Sequence, residues 1–247
     1  MDRLNILSID WDYFIKATMS ERSGLFPDGG NENLPMSIQN AIWSSHYMTD
    51  ELVKIKTDTQ AIRKLKKCLK NLFYAPFMVT DSHKYAYDFI NSMAEEMVRD
   101  SVNIVNVDYH HDIYNNGEDV DCGNWLRKLM EKYEDTDSRF TWIAREDSDE
   151  SGFSFDDTVS GTGLRKIYDL DYIFEYEWDA VFICRSGMWS PPHLDRNFKD
   201  AFDWILDVNP IKYETTIFKN RFTDVNKIAE SQRAILRAVE RRSPESD

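Results

Sequence analysis

Three stretches of the chain combine carboxylates and imidazoles at spacings that suit divalent-metal chemistry. Asp108, His110 and Asp112 stand at i, i+2 and i+4 directly after the apolar, β-branched run Val102–Val107. Asp10 and Asp12 stand at i and i+2 after Leu4–Ile9 (LNILSI). His83 follows Pro76–Thr80 (PFMVT) by way of Asp81 and Ser82. Alternate side chains of an extended segment share a face, so each set is expected to converge at a strand end. His111 then faces the opposite side. Burying several like charges is costly unless a cation offsets them. Four carboxylates and two imidazoles are too oxygen-rich for structural zinc, which favours Cys and His. They suit two divalent ions of intermediate hardness, manganese first. Two such ions, about 3.5–4 Å apart, can share carboxylates and acidify a water between them into a nucleophile near neutral pH.

Those residues need strands to carry them. Short apolar runs predict buried strands at Leu4–Ile9, Pro76–Thr80, Val102–Val107, Phe140–Ala144 and Ala180–Cys184 (AVFIC). Helical spacing predicts helices over Ile38–Tyr47, Asp58–Leu72, Lys84–Val98, Trp125–Lys132, Pro191–Leu206 and Lys227–Arg241, with a further helix start at Thr49-Asp50-Glu51. The basic residues of Asp58–Leu72 read as a solvated face. Pro76–Thr80, Lys84–Val98 and Val102–Val107 make a strand–helix–strand unit, which predicts a parallel pair. Ser20–Pro35, rich in Gly, Asn, Asp and Pro, reads as a long loop of the kind that rims a site. Glu146–Gly163 reads as an acidic surface excursion. The alternation implies an α/β fold with ligands bound at the carboxyl ends of the strands. A single domain is expected over 1–242, followed by a disordered tail, 243–247.

The chain has 247 residues, 42% hydrophobic and 30% charged, enough for one large α/β domain. Its net charge of −14 argues against nucleic acid and anionic membranes as partners and weakly favours a cationic ligand. Cys68, Cys122 and Cys184 show no paired spacing, which implies a reducing compartment. The start is not a signal peptide, and no apolar run approaches the roughly 20 residues that span a bilayer. A cytoplasmic protein is expected.

The motif set resembles the ureohydrolase family, arginase and its relatives, which share a three-layer fold with the histone deacetylases. Asp108-Tyr109-His110-His111-Asp112 matches that family's Asp-X-His-X-Asp segment, and Ser8-Ile9-Asp10-Trp11-Asp12 its Ser-X-Asp-X-Asp segment. Thr80-Asp81-Ser82-His83 matches the Gly-Gly-Asp-His segment in part, with one residue inserted. Cys122-Gly123-Asn124 is similar to a Ser-Gly-Asn segment whose asparagine contacts the substrate's α-substituents. The His-Gly that follows it in arginases is Trp125-Leu126 here. The Ser-X-Asp-X-Asp element comes first instead of last, as a circular permutation produces. With Arg185-Ser186 and Trp189-Ser190-Pro191, this order resembles a smaller group, the peptide arginases of bacterial pathways that modify ribosomally made peptides. These convert arginine side chains of a precursor peptide to ornithine, releasing urea, with manganese.

The resemblance implies a three-layer αβα sandwich with a mostly parallel sheet, two Mn²⁺ per chain and an arginine-containing precursor peptide as substrate. It implies Asp10 and Asp108 as bridging ligands, His83 and Asp112 completing one ion, and His110 and Asp12 the other. Asp112 would be the catalytic group that holds the nucleophile and passes a proton to the leaving amine. Asn124 is carried over as a substrate contact. Glu51 is a candidate guanidinium partner that a helix-start role explains equally well, and Trp189 either lines the pocket or packs. His46 and His193 are expected in loops. Two alternatives stay open. One is another two-metal ureohydrolase or amidinohydrolase, or an amide deacetylase, acting on a small molecule. The other is a non-catalytic peptide-binding module with a structural metal.

Overall fold

The β-branched runs form strands buried on both faces, as parallel sheets require. The computed structural model describes residues 3–27, 32, 34–47, 50–70, 75–115, 117–151, 158–159, 162–208, 221, 227, 230–234 and 237. In chain order the elements are β1 (Leu4–Asp10), β2 (Ile15–Lys16), α1 (Met19–Leu25), α2 (Met36–His46), β3 (Lys56–Thr57), α3 (Thr59–Leu69), β4 (Phe77–Thr80), α4 (Tyr85–Glu96) and β5 (Val102–Val107). They continue with α5 (Trp125–Lys132), β6 (Arg139–Ile143), β7 (Thr158–Val159), β8 (Thr162–Ile167), β9 (Ala180–Cys184) and α6 (Asp195–Val208). The main sheet runs β4-β9-β1-β5-β6-β8-β7. Its first six strands are parallel and β7 is antiparallel to β8. β2 and β3 form a separate two-stranded ribbon.

Alternation along β1 divides the core. Leu7 and Ile9 pack with Ile62, Leu65 and Leu69 of α3 and Phe198 and Phe202 of α6. Leu4 and Ile6 pack on the other face with Phe89, Ile90 and Met93 of α4 and Leu126, Leu129 and Met130 of α5. Helices therefore cover both faces, and the expected three-layer αβα sandwich is the observed architecture. Truncating one of these buried residues to Ala costs about 2–5 kcal/mol.

Several expectations need correction. β4 and β5 are parallel but not paired, because β9 and β1 lie between them. Local pattern fixes the direction of a crossover, not how many strands it spans. The first part of Ser20–Pro35 is helical: α1 is closed by a capping box in which Thr18 and Glu21 satisfy each other's backbone donors. β8 was not predicted. Its sequence TGLRKI has no apolar run, since Leu164 and Ile167 are only half-buried. The start signal at Thr49–Glu51 leads to a single 3-10 turn, Leu52–Lys54, with Thr49 itself outside the described residues. Of Lys227–Arg241, the described positions 227, 230–234 and 237 are helical; the rest, with 243–247, lie outside the described residues. No helix among the described residues is long and apolar enough to cross a membrane.

Candidate metal centre

The carboxyl ends of β4, β9, β1 and β5 lie side by side. The predicted ligands meet there, though not by strand alternation. Asp10 ends β1, and its Oδ1 accepts the Asp12 N–H at 3.0 Å. That bond caps a 3-10 turn, Trp11–Phe14, which brings Asp12 round beside Asp10. After β5 the chain turns again: Asp108 Oδ1 accepts the His110 N–H at 2.8 Å. Asp112 adopts a left-handed backbone, φ +54°, a conformation aspartate tolerates better than most residues. Its carbonyl accepts the Arg127 N–H at 3.3 Å, and its Oδ2 accepts the Trp125 indole N–H at 2.6 Å. Asp12 Oδ1 accepts the Tyr109 N–H at 3.3 Å and ties the two turns together.

His83 Nδ1 lies 3.1 Å from Asp10 Oδ2, 3.2 Å from Asp108 Oδ2 and 3.2 Å from Asp112 Oδ2. Its Nε2 pairs with Ser8 Oγ at 2.7 Å, which leaves Nδ1 for the carboxylates. On the other side, His110 Nδ1 lies 3.0 Å from Asp12 Oδ2 and 3.9 Å from Asp108 Oδ1. Ligands held at right angles about 2.0–2.2 Å from one ion lie about 3 Å apart. Asp10–His83–Asp108 and Asp12–Asp108–His110 each bring their ligand atoms within 4.8 Å of one another. Asp108 serves both groups, one oxygen to each. Asp12 Oδ2 is buried between the His110 ring nitrogen at 3.0 Å and the Arg22 Nη1 at 3.8 Å. Four buried carboxylates crowded around two imidazoles are costly without a cation, so these residues fit a divalent metal.

Without metal, the cluster holds protons to offset its own charge. Burial, reinforced by neighbouring carboxylates, pushes Asp10 and Asp112 well above the usual carboxylate range. Burial also opposes the charge on Asp108, but His83 and His110 outweigh it and hold its carboxyl low. Burial opposes protonation of His83 and His110, and the surrounding carboxylates reverse that and raise both.

Three further residues were not singled out from the sequence. Glu32, in the loop expected to rim the site, is buried: Oε2 accepts the His83 N–H at 3.0 Å and Oε1 accepts the Ser186 hydroxyl. It joins Asp10 and Cys184 in a third close group, and burial raises its pKa to about 7. Arg22 of α1 is buried with its guanidinium 3.6 Å from the centre of the Tyr109 ring. It donates to the carbonyls of Asp12, Ile15 and Ala17, and its Nη1 lies 3.8 Å from Asp12 Oδ2. Trp125 is the third. Only the Thr18-x-x-Glu21 box that starts α1 hinted at any of this; nothing in local spacing marks Glu32.

A cleft of about 330 Å³ opens beside His110, lined by Met19, Arg22, Tyr109, Asp149 and Trp189 among others. The Trp189 ring lies 4.7 Å from that of His110. The remaining candidates sit elsewhere. Asn124 is buried in its own loop, accepting from Asp121 N and donating to the Asp119 carbonyl. Glu51 is exposed and pairs with Lys54 at 2.5 Å. His111 points away from the cluster: Nδ1 accepts the Ile113 N–H and Nε2 donates to the Ser151 carbonyl. His193 bridges Tyr47 and the Ile55 carbonyl, and His46 ends α2 beside Trp43. Comparison with protein-family models, curated proteins and solved structures gives no match.

Proposed function

We propose that the protein is a manganese-dependent hydrolase of guanidinium C–N bonds, a peptide arginase that converts arginine side chains of a precursor peptide to ornithine and urea. One observation carries the metal part of this reading. Asp108 places Oδ2 in one ligand group and Oδ1 in another, which is how a bridging carboxylate serves two ions. Two divalent ions, when bound, supply Lewis acidity and a water that is acidic near neutral pH. The nitrogen and oxygen donors suit manganese. The substrate part rests on the arginase-like motifs, and the cleft supports it. Trp189 offers an aromatic face beside His110, and such faces attract a guanidinium. Asp112, whose Oδ2 lies 3.2 Å from His83 Nδ1, would take a proton and return it to the leaving amine.

The test is metal analysis together with urea release from an N-acylated arginine amide or a precursor peptide, and from free arginine. Two manganese ions and urea from the peptide support the proposal. One tightly held zinc favours the deacetylase alternative. Two ions with no urea from any arginine substrate would leave the binding-module alternative.

A further inference from the structure

We infer that Trp125 is a positioning residue for the metal centre, acting on both Asp112 and His83; the inference rests on the metal-binding reading above. Trp125 is the first residue of α5 and is fully buried. Its indole N–H is a donor only, and it gives that hydrogen to Asp112 Oδ2 at 2.6 Å. A short bond to a carboxylate, once metal binding ionises it, is among the stronger hydrogen bonds. The same Oδ2 faces His83 Nδ1 at 3.2 Å. A free carboxylate rotates about its Cβ–Cγ bond, and this single donor fixes which oxygen points at the ligand imidazole.

The ring of Trp125 acts as well as its N–H. It lies 4.7 Å from the His83 ring, tilted by 30°, while Phe182 stacks on His83 at 5.5 Å and 4°. His83 is therefore held between an indole and a phenyl ring. The main chain of Asp112 is held by the same turn of α5, through the Arg127 N–H. Partners of this kind orient ligands, and their loss typically weakens metal affinity about 10–100-fold. Among the described residues the indole of Trp125 meets Asp112 and His83, and not Asp12 or His110. Its loss should therefore fall on one of the two ions only.

The experiment is calorimetric titration of the metal-stripped full chain with Mn²⁺, alongside thermal unfolding without metal. Trp125→Phe keeps a ring against His83 and removes the N–H. Replacement of Trp125 by benzothienylalanine, with sulfur in place of N–H in the same bicyclic shape, serves if the Phe variant does not fold. Trp178→Phe is the control, since its indole also makes a buried bond, to the Ile173 carbonyl away from the centre. Expected is a 10–100-fold loss in one binding step, the other unchanged, with both steps intact in Trp178→Phe. Wild-type affinity in both steps for the N–H-deleted proteins overturns the inference. So does an equal loss in the Trp178 control. If the wild-type chain itself binds no Mn²⁺, the metal reading fails first and the inference falls with it.

Discussion

Asp10→Asn should make the metal-free protein more stable at alkaline pH while removing its response to metal. Asp10 is 3% exposed, with Oδ1 accepting the Asp12 N–H and Oδ2 against His83. Burial first, then Asp12, Asp108 and Glu32, raise its pKa well above 3.8. The sign follows from linkage. The folded chain holds this proton to higher pH than the unfolded chain does, so stability falls as pH rises above the unfolded value, and stays lost above the folded one. Asparagine cannot ionise and keeps the Oδ1 acceptor, so it escapes that loss. Asp10 and Asp108 bring their ligand oxygens within 4.8 Å. Unit charges at that separation repel by about 3.5 kcal/mol at an effective dielectric near 20. Partial protonation in the wild type reduces the gain, so we expect roughly 1–3 kcal/mol, or about 2–4 °C in Tm for each kcal/mol. Saturating Mn²⁺ should reverse the ranking, because a hundredfold excess over Kd adds about 2.7 kcal/mol to a chain that binds it. The assay is thermal unfolding in chelator and in Mn²⁺, at acidic and alkaline pH. Asp10→Asn less stable than wild type in chelator at alkaline pH would refute the repulsion argument. A full Mn²⁺ response in the variant would refute the ligand assignment.

Three other outcomes are expected. Glu32 is raised from 4.5 to about 7, so the metal-free wild type should lose about 3 kcal/mol as pH rises between those values; Glu32→Gln should flatten the curve, and an already flat wild-type curve counts against it. His111→Ala should keep Mn²⁺ binding and most activity while costing roughly 1–3 kcal/mol of stability from its two buried hydrogen bonds; loss of Mn²⁺ binding with the fold intact would contradict the way the ring faces. Free arginine should show a lower kcat/KM for urea release than an N-acylated arginine amide, since Asn124 is occupied within its own loop and leaves the α-substituents without that partner; the reverse ranking points to an ordinary ureohydrolase.

What could be read from the sequence follows the range of the forces involved. The runs Val102–Val107 and Ala180–Cys184 are strands to the residue, because burial on both faces leaves continuous apolar letters. The six proposed ligands were legible by type, since carboxylates and imidazoles after such runs have few other uses. How they meet was not. It depends on side-chain-capped turns and on a left-handed Asp112, which alternation cannot express. Glu32 acquires its environment from Ser186 and the His83 backbone, both remote in sequence. β8 has the letters of a surface segment because its side chains are half-exposed. Asn124 and Glu51 were suggested by a motif echo and a charge, and the contacts those side chains make are local.

The position of β1 in the sheet also sets an order of assembly. Leu4 pairs with Val102 and Ile6 with Ala180, partners 98 and 174 residues further along (102 − 4 and 180 − 6). Pairing across such distances must close large loops before it gains contacts, which slows folding. At roughly 5–20 residues per second on a ribosome, β1 waits about 5–20 s for β5 and about 10–35 s for β9. The two ligand groups do not share that delay. Asp12, Asp108 and His110 need only β1 and β5 to meet. Asp10, His83 and Asp108 also need β4, which reaches β1 only through β9. On a nascent chain the His110 group is therefore expected to be complete first, and the His83 group only once β9 has joined the sheet.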